Sequence, residues 1–76
     1  MADTKLKQLR ESLGVTQEAV AKRLPTVNLR TYIRAEGGRT SVRYNTAQEI
    51  LTVMNDLLRE AGRDPVTLDD LGLKLF

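Results

Sequence analysis

Apolar residues recur along this chain at spacings of three and four, the signature of helices that bury one face. Leu6, Leu9 and Leu13 form the first such series, and Gly14 ends it. Thr16 can cap a second helix, in which Val20, Ala21 and Leu24 share a face; Ala21 is small enough for another helix to cross close by. Pro25 cannot continue that helix and pushes Leu24 out of helical geometry. Asn28 can cap a third helix, with Tyr32 and Ala35 inward and Arg30 and Arg34 outward. The spacing predicts helices over about 17 to 24 and about 29 to 36, then a loop of Gly37, Gly38, Thr40 and Ser41. Asn45 followed by Gln48 has capping-box spacing and opens the longest helix, whose inner stripe is Ala47, Ile50, Leu51, Met54, Leu57, Leu58 and Ala61. Gly62 ends it, and Asp64-Pro65 begins a turn. Thr67 with Asp70, and Val66 with Leu71, repeat the cap-and-staple pattern and predict one short final helical turn. Leu71, Leu73 and Leu75 then alternate at period two, a strand pattern. Residues 1 to 4 are expected to fray. The reading is a single all-α domain over residues 1–76, compact, with four to five helices and an extended tail at about 72–76.

A core of this size is marginal, and small domains add disulfides, metals, oligomerisation or tight helix packing. The chain has no Cys and no His, which removes disulfides and the usual zinc ligands. Close helix packing and a partner subunit are left. The start MADTKLKQLRE is charged throughout and lacks the apolar region of a signal peptide. No window approaches the roughly 20 apolar residues of a membrane span. A cytoplasmic protein with no membrane partner is expected.

Net charge is only +2, but it is unevenly spread. Residues 22 to 43 hold Lys22, Arg23, Arg30, Arg34, Arg39 and Arg43 against Glu36 alone, whereas residues 44 to 76 are acidic. Positive charge therefore gathers on the two short central helices and the loop behind them, as a polyanion partner would require. Two short helices with one basic outer face suggest a helix-turn-helix at about 17–36 that presents its second helix to a DNA major groove. Arg pairs bidentately with guanine, and Leu or Thr meets a thymine methyl. Nothing suggests an enzyme. There is no catalytic His or Cys and no phosphate-cradling glycine loop, the carboxylates are scattered, and no cofactor or metal is expected.

The stretch TQEAVAKRLPTVNLRTYIRAEGG, residues 16 to 38, resembles the phage-repressor (Cro/CI-like, Xre) helix-turn-helix family. Leu9-Arg10, Gly14 and Thr16-Gln17 before it, and Glu36 with Gly38 at its end, are similar to that family's pattern, as is the run Thr46 to Met54. Roughly residues 5 to 58 are covered. Pro25 stands where the family has a turn glycine, one extra residue precedes Val27, and Val42 replaces a common proline. The resemblance implies a lambda-repressor-like fold in which Arg10 and Glu36 form a partly buried structural salt bridge. It implies a phosphate contact at Gln17. It also implies that Asn28, Leu29 and Arg30 enter the groove, with Thr31 and Arg34 further along. Lys22 and the loop arginines Arg39 and Arg43 are read as phosphate contacts. Ile33 is apolar where the family is usually polar; it touches DNA or a partner, or pads the core edge. The extra turn residue leaves open whether Arg30 or Arg34 reaches the bases.

Two functions compete. One is a sequence-specific double-stranded DNA-binding regulator, a repressor that holds a palindromic operator as a homodimer. The other is a protein-interaction module, such as an antitoxin or accessory subunit, gripping a partner through its C-terminal half. Leu71, Leu73, Leu75 and Phe76 are the candidate dimer or partner contacts in either case.

Overall fold

The computed structural model describes residues 4–76. Four helices follow one another: α1 (Lys5–Ser12), α2 (Gln17–Arg23), α3 (Leu29–Gly37) and α4 (Tyr44–Glu60), with a single 3-10 turn at Asp69–Leu71. The described residues contain no strand, only one isolated parallel bridge between Val42 and Leu75. The all-α expectation holds. No helix among these residues is long and apolar enough to cross a membrane.

Side chains open the first three helices by the same means. Thr16 Oγ1 accepts from the Ala19 amide at 3.1 Å, and Asn28 Oδ1 accepts from the Thr31 amide at 2.8 Å. Each satisfies a donor that the first helical turn leaves without a partner. Thr4 does the same for α1, accepting from the Lys7 amide at 3.3 Å. Thr4 is buried, and its hydroxyl donates to the Glu36 carbonyl at 2.8 Å. The fraying expected of residues 1 to 4 therefore does not reach Thr4; residues 1 to 3 lie outside the described residues.

The longest helix starts differently from expectation. It begins at Tyr44 after Arg43, which makes no side-chain cap, and Asn45 lies inside its first turn. Gln48 Nε2 donates to the Tyr44 hydroxyl at 2.6 Å instead of closing a capping box. The cause is the extended segment just before it. Val42 donates to the Lys74 carbonyl at 2.8 Å and accepts from the Phe76 amide at 3.1 Å, so the backbone stays extended through Arg43 and then turns helical.

Leu6, Val20, Tyr32, Ile50, Met54 and Leu71 are buried at the centre, where α1, α2 and α3 pack together over α4. Val27, Val42 and Val53 join this core, although periodicity did not single them out, while Ala61 caps α4 and is exposed. The segment after α4 is drawn back by Asn55. Its Oδ1 accepts from the Val66 amide at 2.8 Å and its Nδ2 donates to the Val66 carbonyl at 3.1 Å. Of the expected cap only the Asp70 half forms: Asp70 accepts from the amide and hydroxyl of Thr67 at 2.9 and 3.1 Å, and no side chain caps the turn itself. Leu71 then drops wholly into the core, in a turn that packs on α1.

The tail is thus not an unpaired apolar strand. Leu71 is buried, Leu73 is half-buried against the core, and the backbone beyond is paired to Val42. Only Leu75 and Phe76 remain exposed. In urea unfolding, Leu71→Ala should cost about 2–5 kcal/mol, the range for a truncated core leucine. Leu75→Ala should cost less than about 1 kcal/mol. Equal losses for the two would mean that this division between core and surface is wrong.

Candidate nucleic-acid interface

The outer face of α3 and the loop behind it depend on one carboxylate. Glu36 lies on the inner side of α3 and is 1 % exposed. Arg10 of α1 grips it with two donors, Nε to Oε2 at 2.7 Å and Nη2 to Oε1 at 3.0 Å. Gln17 at the start of α2 donates to Oε1 at 2.9 Å, and the Tyr32 hydroxyl donates to Oε2 at 2.6 Å. Arg10 also donates to the Val15 carbonyl at 2.8 Å, bracing the turn between α1 and α2. Burial opposes ionisation of Glu36, but the hydrogen bonds from Arg10, Tyr32 and Gln17 outweigh it and hold the carboxyl below its ordinary range. The Tyr32 hydroxyl is pushed upward by burial and by the bond to Glu36. The Arg10–Glu36 bridge is present as expected. Gln17, expected to face a phosphate, instead spends its side-chain amide on Glu36. What remains toward solvent at that point is the capped start of α2.

A second carboxylate holds the turn that enters α3. Glu49 of α4 accepts from the Thr26 amide at 2.8 Å, the Thr26 hydroxyl at 2.6 Å and the Val27 amide at 3.1 Å. Thr26, which follows Pro25, therefore does not hang loose. The backbone donors of Thr26 and Val27 are both taken up by Glu49 of α4, and Val27 is buried. Sequence reasoning missed Glu49, because a single acid 23 residues further along the chain carries no local signal.

The third helix turns its cations out. Arg30, Thr31 and Arg34 are exposed, as are Arg39 in the loop and Arg43 before α4; Lys22 is exposed on the last turn of α2. Leu29 is half-buried, and Ile33 is 42 % exposed. Gly38 ends α3 in the left-handed region at φ 74°, which suits a residue without Cβ and swings the chain from the helix into the loop. Two shallow depressions connect these residues. Leu29, Arg30, Ile33 and Arg34 line one. Thr31, Arg34, Ser41, Arg43, Thr46 and Phe76 border the other, about 230 Å³ in volume. Arg34 is shared by both, so Arg30, Arg34 and Arg43 form a continuous run. Lys22 and Arg39 line neither. Guanidiniums among hydroxyls are suited to an anionic oxygen, and the hydroxyls of Thr40, Ser41 and Thr46 were not anticipated from the sequence.

The arginines divide cleanly. Arg23 pairs with Glu60 at 2.6 Å, Arg59 with Asp56 at 2.9 Å, and Arg63 donates to the Ser12 hydroxyl at 3.0 Å. With Arg10 on Glu36, every arginine outside residues 30 to 43 has an intramolecular partner. Among the described residues, the side chains of Arg30, Arg34, Arg39 and Arg43 have none. No protein-family model, curated protein or solved structure matches this chain. The functional reading rests on the residues themselves.

Glu36→Gln should cost about 3–5 kcal/mol, because it leaves the Arg10 guanidinium largely buried without its counter-charge. The pH dependence follows from the lowered carboxyl. The ionised pair contributes above the ordinary value of 4.5, and that contribution is lost as pH falls through the folded value. Wild-type stability should therefore drop on acidification below about pH 4.5, and Glu36→Gln should shrink that drop. Glu49 and Asp70, also held low by donated hydrogen bonds, leave a residual slope. Urea titrations at several pH values check both points; identical slopes would contradict the assignment.

Proposed function

We propose that this chain is a sequence-specific duplex-DNA-binding regulator of the helix-turn-helix type, a repressor that occupies a two-fold operator as a homodimer. The observation that carries the reading is the division of the arginines. The arginines outside residues 30 to 43 are all partnered, while the four within that stretch are left without partners, and three of these, Arg30, Arg34 and Arg43, lie on one run of surface. Such a run releases counterions when it meets phosphates, a sequence-independent source of affinity.

In this reading α3 enters the major groove with Asn28, Leu29, Arg30, Thr31 and Arg34 toward the bases. Asn28 already caps α3 through its oxygen, so its contribution there is the amide NH2. Arg30 takes a guanine, and Arg34 and Arg43 with the surrounding hydroxyls take backbone phosphates. Glu36 holds the helix against α1 and α2 so that this face is fixed before DNA arrives. The resemblance to phage-repressor-like domains supports the same assignment, including the Arg10–Glu36 bridge.

A protein-interaction role is the second reading, and one observation favours it. Phe76 is 86 % exposed beside Leu75, an apolar pair tied to the loop by the Val42 bridge. It suits contact with a second copy or another protein. Sedimentation of the intact chain against Leu75→Ser/Phe76→Ser should show a shift toward monomer with an unchanged helical circular dichroism spectrum. An intact chain that is already monomeric would remove the dimer from the proposal.

Binding to duplex DNA should weaken steeply with salt, each neutralised phosphate adding about −0.9 to the log–log slope. A flat response, or no binding at low salt, defeats the DNA reading. Arg30→Ala should cost about 1–3 kcal/mol and relax preference at one base pair, whereas Arg43→Ala should weaken all sequences alike and reduce the salt slope by roughly one. Neither side chain holds the fold together, so melting temperatures should barely move. If Arg34→Ala alone relaxes preference in a binding-site selection, the register assigned to α3 is wrong by about a turn.

A further inference from the structure

Leu29 and Ile33 have no structural reason to be where they are. They stand four apart on α3 and form one apolar ridge, yet neither belongs to the core cluster nor packs against it. Ile33 is the one large hydrophobic side chain on α3 that is exposed, at 42 %. Both line the depression that also contains Arg30 and Arg34.

What could cover this ridge is limited by charge. Arg30 and Arg34 run beside it without partners, and the one acid on α3, Glu36, is buried beneath the helix. An apolar protein surface would desolvate two guanidiniums with nothing to pair them. A second copy meeting this face across a two-fold axis would set arginine against arginine. The major groove offers both kinds of complement together: acceptor edges and phosphates for the guanidiniums, and the C5-methyl of thymine as its apolar group.

We propose that Leu29 and Ile33 are specificity-determining residues that read thymine methyl groups in the major groove. The proposal rests on the DNA-binding reading above and narrows it to targets in which thymine lies beside the bases read by arginine. The two residues exclude water from the methyl and gain no hydrogen bond, so they reject cytosine and uracil by the absence of that group.

The test begins with a site selected from random duplexes, followed by replacement of its thymines one at a time with deoxyuridine. That change removes only a methyl and keeps pairing and every hydrogen-bonding edge. Anisotropy titrations should show about a fourfold loss of affinity at one or two positions, the effect of one buried methyl. In Ile33→Ala or Leu29→Ala, checked as folded by circular dichroism, the same replacement should have no effect, since the partner of the methyl is gone. Specific binding that ignores uridine everywhere, or a penalty that persists in both variants, overturns the methyl reading and leaves the DNA reading in place. A shift of Ile33→Ala toward monomer in sedimentation also overturns it, because the ridge would then join two copies. Absence of duplex binding at low salt fails the DNA reading itself and this inference with it.

Discussion

The arrangement of the first three helices depends on a single buried carboxylate. Glu36 sits at the end of α3 and collects Arg10 from α1, Gln17 from α2 and Tyr32 from its own helix. Its carbonyl also takes the buried hydroxyl of Thr4. A charge in that position is tolerable only because its oxygens are fully used, and the described residues leave no buried side-chain polar atom without a partner. In a chain of 76 residues, with no Cys to make disulfides, this cluster substitutes geometric constraint for mass of core. It fixes helix orientation by direction-dependent bonds, where apolar packing alone would allow the short helices to slide.

Glu49 plays the complementary part on the other side of α3. The turn between α2 and α3 spans residues 24 to 28, and a turn of that length has several ways to aim the helix that follows. Three hydrogen bonds from Thr26 and Val27 to one carboxylate select among them. An acid on α4 thus fixes a distant turn, and α3 is clamped from below at its end and from behind at its start.

How much of this was legible in the sequence follows from the range of each interaction. Helices α1 to α3 announced themselves because caps and stripes are local: Thr16, Asn28, Gly14 and Gly38 act within one turn of where they stand. The Arg10–Glu36 pair came only from resemblance, as its partners are 26 residues apart. The start of α4 was misplaced since it is set by the pairing of Val42 with residues near the other end of the chain, which no local pattern encodes. Val27 and Val42 lie in connections, where periodicity has no helix to act on, so their burial could not be read. Charge segregation was visible in the sequence. That the partnered and partnerless arginines divide along the same line was not, because pairing needs three dimensions.

The bridge at Val42 has a further consequence for the loop that carries Arg39 and Arg43. The loop is tied by two backbone hydrogen bonds to residues 74 and 76. Each opening of that clasp releases the loop as well, so a loosening of residues 74 to 76 is handed on to two arginines more than thirty positions earlier. The two regions should therefore behave as one unit in amide hydrogen exchange, with the Val42 amide protected no better than that of Phe76. Whatever rests on Phe76 and damps its motion would at the same time reduce the conformational entropy that the arginine loop must lose on meeting an anion, linking the two surfaces through order alone.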